Sequence, residues 1–224
     1  MKDFELLPTF WMNDTPYNWS NLGEGQNCKF RKGELVFVEG TKMEHIYLIQ
    51  EGKVKLSITS NEGDEKTIGF IGKNSIVGTS SLFNNAQYMF NATSVTDASA
   101  IKYNKSEFIE KVMENKELMM QIFKIMSMRI RILTNHSLDL AFNHSYKRLA
   151  KALLDMYNSY GKKTNNNDLL IDFYITQSEL GEIIGTTWVT VAHNIKKLSD
   201  EGIIKRQGRK YIIIDYQKLQ QTAT

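Results

Sequence analysis

Residues 117–137, ELMMQIFKIMSMRIRILTNHS, constrain this chain more than any other stretch. Leu118, Ile122, Phe123, Met126, Ile130 and Leu133 recur at spacings of three and four, the period of one helix face. Met119, Ile125, Met128 and Ile132 make the other sides apolar as well. A helix that is apolar nearly all round has to be buried on two faces. One face is expected to cover a domain of the same chain. In a chain of 224 residues little else remains to cover the other. The expected cover is the same helix of a second copy, meeting it through Ile122, Met126, Ile130 and Leu133. The alternative is an interior helix of one larger domain.

Ahead of this helix the period is two. KGELVFVEG, HIYLIQEG, KVKLSITSNEG and EKTIGFIG are rich in Val, Ile, Tyr and Phe, and each closes near a Gly or an Asn-Glu-Gly turn. ATSVTDASAIKYN continues the alternation. Residues 23–105 are therefore expected to form an antiparallel barrel or sandwich. Residues 1–22 read as an irregular arm carrying Phe4, Phe10, Trp11, Tyr17 and Trp19. It is expected to lie on its own domain, the alternative being a lid over a ligand or a contact with a partner. Residues 106–142 form the helical segment, with Ser106 as its expected N-cap.

The composition excludes several classes of function. Cys28 is the single cysteine, so an internal disulfide, a cysteine zinc site and an iron–sulfur centre are all ruled out. His45, His136, His144 and His193 show no ligand spacing, and neither a metal nor a cofactor is expected. No phosphate-binding loop, nucleophile elbow or dinucleotide fingerprint occurs, so an enzyme is not expected. The N-terminus lacks the apolar run of a signal peptide, and no apolar run of membrane-spanning length follows; the expected location is the cytoplasm. Charge is unevenly spread. Residues 144–224 hold 12 Lys+Arg against 8 Asp+Glu, a net +4, while residues 1–143 hold 16 against 17, a net −1. A mildly basic C-terminal part suits a polyanion.

Residues 176–198, TQSELGEIIGTTWVTVAHNIKKL, explain that bias. Thr176 and Glu179 have capping-box spacing. Leu180, Ile183 and Ile184 mark an apolar face, and Gly185 suits a left-handed helix end. Thr187 is placed to cap a second helix, with Val191, Ile195 and Leu198 on its inner face. Its expected outer face carries Trp188, Val189, Thr190, His193, Asn194 and Lys197. Upstream, SYKRLAKALLDMYNSY reads as a helix, GKKTNNND as a polar loop and LLIDFYI as a strand; downstream, EGIIKRQG and RKYIIIDY read as two strands. Together these describe a winged helix over residues 143–224.

The order and spacing of EGKVKLSITSNEGDEKTIGFIGKNSIVGTSSLF, SEFIEKVMENKELMMQIFKIMSMRIRILTNHSLDLAF and TQSELGEIIGTTWVTVAHNIKKLSDEGIIKRQG resemble the Crp/Fnr transcription regulators over residues 25 to about 216. The resemblance implies an α+β chain: an N-terminal antiparallel β-roll of cyclic-nucleotide-binding type, a long dimerisation helix with a hinge near Leu140-Ala141-Phe142, and a C-terminal winged helix–turn–helix. It implies a homodimer on a twofold-symmetric DNA site, with RNA polymerase as a further partner. The β-roll and the Val-Thr-Val of the second helix look closest to the reductive-dehalogenation regulators, which respond to halogenated phenols.

Departures from the family sharpen these expectations. Cyclic-nucleotide-binding members carry a Gly-Glu-Leu turn for the ribose hydroxyl and an Arg-Ser pair for the phosphate. This chain has Gly78-Thr79-Ser80 and Phe90-Asn91 there. A buried cyclic phosphate would lose its charge-assisted partner, so cyclic AMP is not the expected effector. The expected pocket, lined by Thr79, Ser80, Phe90, Asn91, Met126, Arg129, Ile130, Leu133 and Thr134, suits a small organic molecule, with Arg129 able to pair a carboxylate or phenolate. In the second helix Trp188, Val189 and His193 stand where many members place Arg and Glu. Val189 then meets a thymine methyl, His193 a guanine edge or a phosphate, and Asn194 an adenine if it points into the groove. Thr176, Ser178, Thr187, Thr190, Lys197 and Arg209 are expected to hold phosphates. Two alternatives stand beside this regulator: a ligand-binding signalling module whose C-terminal domain contacts protein, and a constitutively active regulator without an effector.

Overall fold

A computed structural model describes residues 10–12, 17–83, 87–164 and 168–224. Phe4 of the arm lies outside them. The described residues divide into two compact units, residues 11–130 and residues 131–224, the latter together with Phe10.

The first unit is built on alternating strands. β1 (Trp11–Met12), β2 (Gln26–Phe30), β3 (Leu35–Phe37), β4 (His45–Glu51), β5 (Val54–Thr59), β6 (Glu65–Ile71), β7 (Ile76–Val77), β8 (Asn91–Ser94) and β9 (Ala98–Asn104) form two sheets, ordered β1-β6-β5-β8-β3 and β2-β9-β4-β7. β1 runs parallel to β6, and the other pairings are antiparallel. Their inward side chains, among them Ile46, Ile49, Val54, Leu56, Phe70, Ile71, Ala92 and Ala100, are fully buried. Phe37 of one sheet stacks on Tyr47 of the other at 5.9 Å between ring centroids. The expected β-roll is present. β2 and β7 were not anticipated, because each is short and lacks a clear alternating run.

Residues 17–22 of the arm lie on this unit, as expected. The Trp19 indole donates to the Asn74 carbonyl at 2.8 Å, and Gln121 exchanges two hydrogen bonds with the Asn18 backbone.

α1 (Lys105–Glu114) is capped by Asn104, whose side chain accepts from the Ser106 amide, rather than by Ser106 itself. Asn104 already has the extended backbone an N-cap needs. α2 (Lys116–Phe142) follows after Asn115, whose side chain accepts from Glu117 and Leu118. One face of α2 buries Leu118, Ile122, Ile125 and Ile132; another exposes Met120, Phe123 (53 %) and Ile130 (65 %). The two-faced character is as read from the sequence, with one correction. Ile122 is 1 % exposed and unavailable to a second chain, and Phe123 takes its place on the outer face.

The second unit contains the end of α2, α3 (Ser145–Tyr160), β10 (Gly161–Lys163), β11 (Leu169–Ile171), α4 (Gln177–Ile184), α5 (Trp188–Asp200), β12 (Ile204–Gln207), β13 (Lys210–Ile213) and α6 (Tyr216–Ala223). Its sheet is ordered β10-β11-β13-β12. GKK, expected in a loop, instead pairs antiparallel with β11, Gly161 lying opposite Ile171 and Lys163 opposite Leu169. The strand expected over LLIDFYI is confined to Leu169–Ile171.

Candidate nucleic-acid interface

α4 begins with the full capping box: Thr176 Oγ1 accepts from the Glu179 amide at 3.1 Å, and the Glu179 carboxylate accepts from the Thr176 amide at 2.8 Å. It ends at Gly185, whose φ of 66° only glycine adopts without strain. A Cβ on Gly181 would sit 2.7 Å from the Thr186 carbonyl, so that glycine sets how tightly the turn folds back on α4. Thr187 caps α5 by accepting from the Thr190 amide. Val191, Ile195 and Leu198 then pack inward, as their spacing requires.

The outer face of α5 presents Trp188 (60 % exposed) and Val189 (56 %), with His193, Lys196 and Lys197 also exposed. Lys197 lies 4.3 Å over the Tyr146 ring. Beyond α5 the β12–β13 hairpin carries Lys205, Arg206 and Arg209 exposed around its Gly208 turn. A helix with an exposed apolar tip, flanked by lysines and followed by a basic hairpin, matches a duplex groove bordered by phosphates.

The first unit holds a second candidate site, a cavity beside α2. It is lined by Phe37, Leu56, Val77, Gly78, Ser80, Ser81, Tyr88, Met89, Phe90 and Arg129 and holds about 10 Å³ of free space, the room of one water molecule. Phe37 and Tyr88 stack at 4.0 Å in its wall. Arg129 is the one cation among the described residues lining it. Its Nη1 donates to Thr79 Oγ1 and its Nη2 to the Ile76 carbonyl, each at 2.8 Å. Burial pulls the guanidinium down to about 10, against an opposing contribution from the Tyr17 phenol, so it stays cationic at neutral pH.

Residues 27–115 match the cyclic nucleotide-binding domain family, and residues 147–222 match the Crp-like helix-turn-helix domain family. The chain is a Crp/Fnr family regulator. It is 26 % identical over 198 residues, 88 % of each chain, to a CRP-like cAMP-activated global transcriptional regulator of Mycobacterium tuberculosis. To the anaerobic regulatory protein of Bacillus subtilis it is 27 % identical over 187 residues, covering 83 % of this chain and 78 % of that one. Among solved structures, FixK2 from Bradyrhizobium japonicum shares the fold with a TM-score of 0.78 at 18 % identity, covering 89 % of this chain and 98 % of that one. CprK complexed with OCPA does so with a TM-score of 0.70 at 21 %, covering 89 % and 91 %. This Crp/Fnr protein is a DNA-binding transcription regulator and not an enzyme.

Several expected site residues of this regulator fall elsewhere. Asn194 is 6 % exposed and donates to Ser145 Oγ at 3.1 Å, so it cannot read a base. The helical period places it at the edge of the outer face, and packing turns it in. Lys196, which sequence reasoning missed, lies on that face with Val189 and His193 at spacings of three and four, a signal present in the sequence. The hydroxyls of Thr176, Thr187 and Thr190 are engaged in capping bonds. Ser178 and Arg209 are exposed as expected.

In the cavity Ser80, Phe90 and Arg129 are lining residues, and Thr79 stands behind them on Arg129. Asn91 is not a lining residue. It accepts from the Glu39 amide at 3.0 Å and donates to Glu39 and Thr59, because β8 alternates and Phe90 takes the inward place. Ile130, Leu133 and Thr134 are exposed, and Met126 is half-buried.

Proposed function

We propose that the chain acts as a homodimer whose DNA affinity is set by a small aromatic carboxylate or phenolate beside Arg129, and not by cyclic AMP. The observation that carries this reading is the Arg129 guanidinium, the one cation among the described residues lining an aromatic-walled cavity. An anion arriving there gains a charge-assisted partner in a desolvated setting. A cyclic phosphate has no cation at Phe90-Asn91 to meet it. The free space is far smaller than the several hundred Å³ a ring-sized ligand fills. Binding therefore requires Phe37, Tyr88 or Met89 to move, and Arg129 couples that movement to α2. The halogenated phenols of the reductive-dehalogenation regulators belong to this ligand class.

The outer row of α2, with Phe123 and Ile130 seven residues apart and Met120 beside them, supports pairing with a second copy. RNA polymerase is a proposed further partner, and the cytoplasm the proposed location. Calorimetry with a panel of chlorinated phenols, aromatic carboxylates and cyclic nucleotides tests the effector, with binding confined to aromatic anions as the expected result. Binding confined to cyclic nucleotides would refute it. Sedimentation equilibrium of the Ile130→Glu variant, expected to be monomeric, tests the dimer.

A further inference from the structure

We infer that Arg148 is the positioning residue through which the end of α2 sets the orientation of the recognition helix α5. The residues that join the two elements form one connected set. Near the end of α2, Asp139 is 2 % exposed, and its Oδ1 accepts from both Lys151 of α3 and the Asn143 side chain at 2.5 Å. Its other oxygen, Oδ2, is buried and has no partner among the described residues. Arg148, one turn into α3, donates to the Asn143 carbonyl at 2.6 Å, to the Ile184 carbonyl at 2.7 Å and to the Gly185 carbonyl at 3.1 Å. Those last two carbonyls terminate α4, where a helix leaves acceptors unsatisfied and favours a cation. One guanidinium thus ties the residue following α2 to the turn of the helix–turn–helix.

The rest of the first turn of α3 holds α5 at two more points. Ser145 accepts from Asn194 in the middle of α5, and the Tyr146 hydroxyl donates to Glu201 at its end, at 2.6 Å. With these contacts α3, the turn and α5 move as one body. Arg148 and Asp139 then fix the angle between the last turn of α2 and that body, across residues 143–144. Burial lowers the Arg148 guanidinium and the Asp139 charge opposes that, in keeping with the two acting together. A buried carboxylate with an unsatisfied oxygen is costly, and such groups persist where they select one geometry over another.

The inference rests on the homodimer reading, since orientation is legible as the spacing between two half-sites. The test takes the best site that the wild-type full chain selects from random duplexes and varies the spacer by single base pairs, measuring affinity for wild type, Arg148→Met and Arg148→Lys. Wild type should show one optimum. Arg148→Met should lose about tenfold at that optimum and little at neighbouring spacers, flattening the profile. Arg148→Lys, which keeps the charge but reaches fewer carbonyls, should fall between, with a thermal midpoint near that of wild type. A wild-type profile without an optimum refutes the dimer reading and the inference with it. A wild-type optimum that both variants keep in shape, whether affinity is unchanged or falls equally at every spacer, overturns the Arg148 assignment alone.

Discussion

The cavity and the recognition helix of this regulator reverse the usual placement of charge in opposite senses. The cavity encloses a guanidinium, Arg129, among aromatic side chains, while the recognition helix exposes an indole and an isopropyl group, Trp188 and Val189. Soluble proteins ordinarily keep cations wet and large apolar groups dry. The guanidinium is held by the fold itself, through Thr79 and the Ile76 carbonyl, whereas the indole and the isopropyl group stay open to solvent. The winged-domain sheet supplies the ordinary case: Asp172 is flanked by Lys162 at 2.5 Å and by Lys210, at the surface.

The largest expected effect breaks the comparison at its buried end. Arg129→Met should weaken binding of an aromatic carboxylate by about 2–5 kcal/mol, the cost of deleting one partner of a desolvated charge pair. Calorimetry that finds the carboxylate affinity intact would show that the guanidinium serves the fold alone. Next comes the exposed end. Trp188→Ala and Val189→Ala should each weaken specific DNA binding by about 1–3 kcal/mol while changing stability by less than about 0.5 kcal/mol. Equal losses on specific and random duplexes would reassign both side chains to the phosphates. Smaller still, Lys196→Ala and Lys197→Ala should each reduce the slope of log affinity against log salt by about one, in a salt titration.

The smallest effect belongs to Asp172, whose carboxyl is held near 2, well below its ordinary 3.8, by hydrogen bonds from Lys162 and Lys210. A depressed folded-state value stabilises above the unfolded value and ceases to do so as pH falls through the folded one. The gap in thermal midpoint between wild type and Asp172→Asn should therefore be full above about pH 4 and close as pH approaches about 2. A gap that is constant with pH would remove the carboxylate's charge from the account.

The helix–turn–helix was almost fully legible, because its determinants are local. Thr176 with Glu179, the left-handed Gly185, Thr187 and the inner row Val191, Ile195 and Leu198 all act across four residues or fewer. Face assignments were legible only to within a position. Ile122 and Phe123 are neighbours on α2, and period alone does not say which of them meets the roll. Asn194 and Lys196 present the same ambiguity on α5. The cavity was the least legible, since its walls come from β3, β5, β7, the segments between β7 and β8, and α2, and a one-residue shift at the start of β8 exchanges Phe90 for Asn91.

By itself, then, the sequence determined the order of β-roll, long helix and winged domain, the caps and turn of the reading head, and an apolar surplus on α2. All of these follow from residues close along the chain, where period, caps and glycine act. Only the tertiary structure decided where the polar side chains at the margins turn. Asn194 goes inward to Ser145, Asn91 outward to Glu39, Arg129 onto Thr79 and Ile76, and Arg148 onto the end of α4. Those partners lie 36 to 53 residues away, and a buried donor takes whichever acceptor the assembled fold brings within reach.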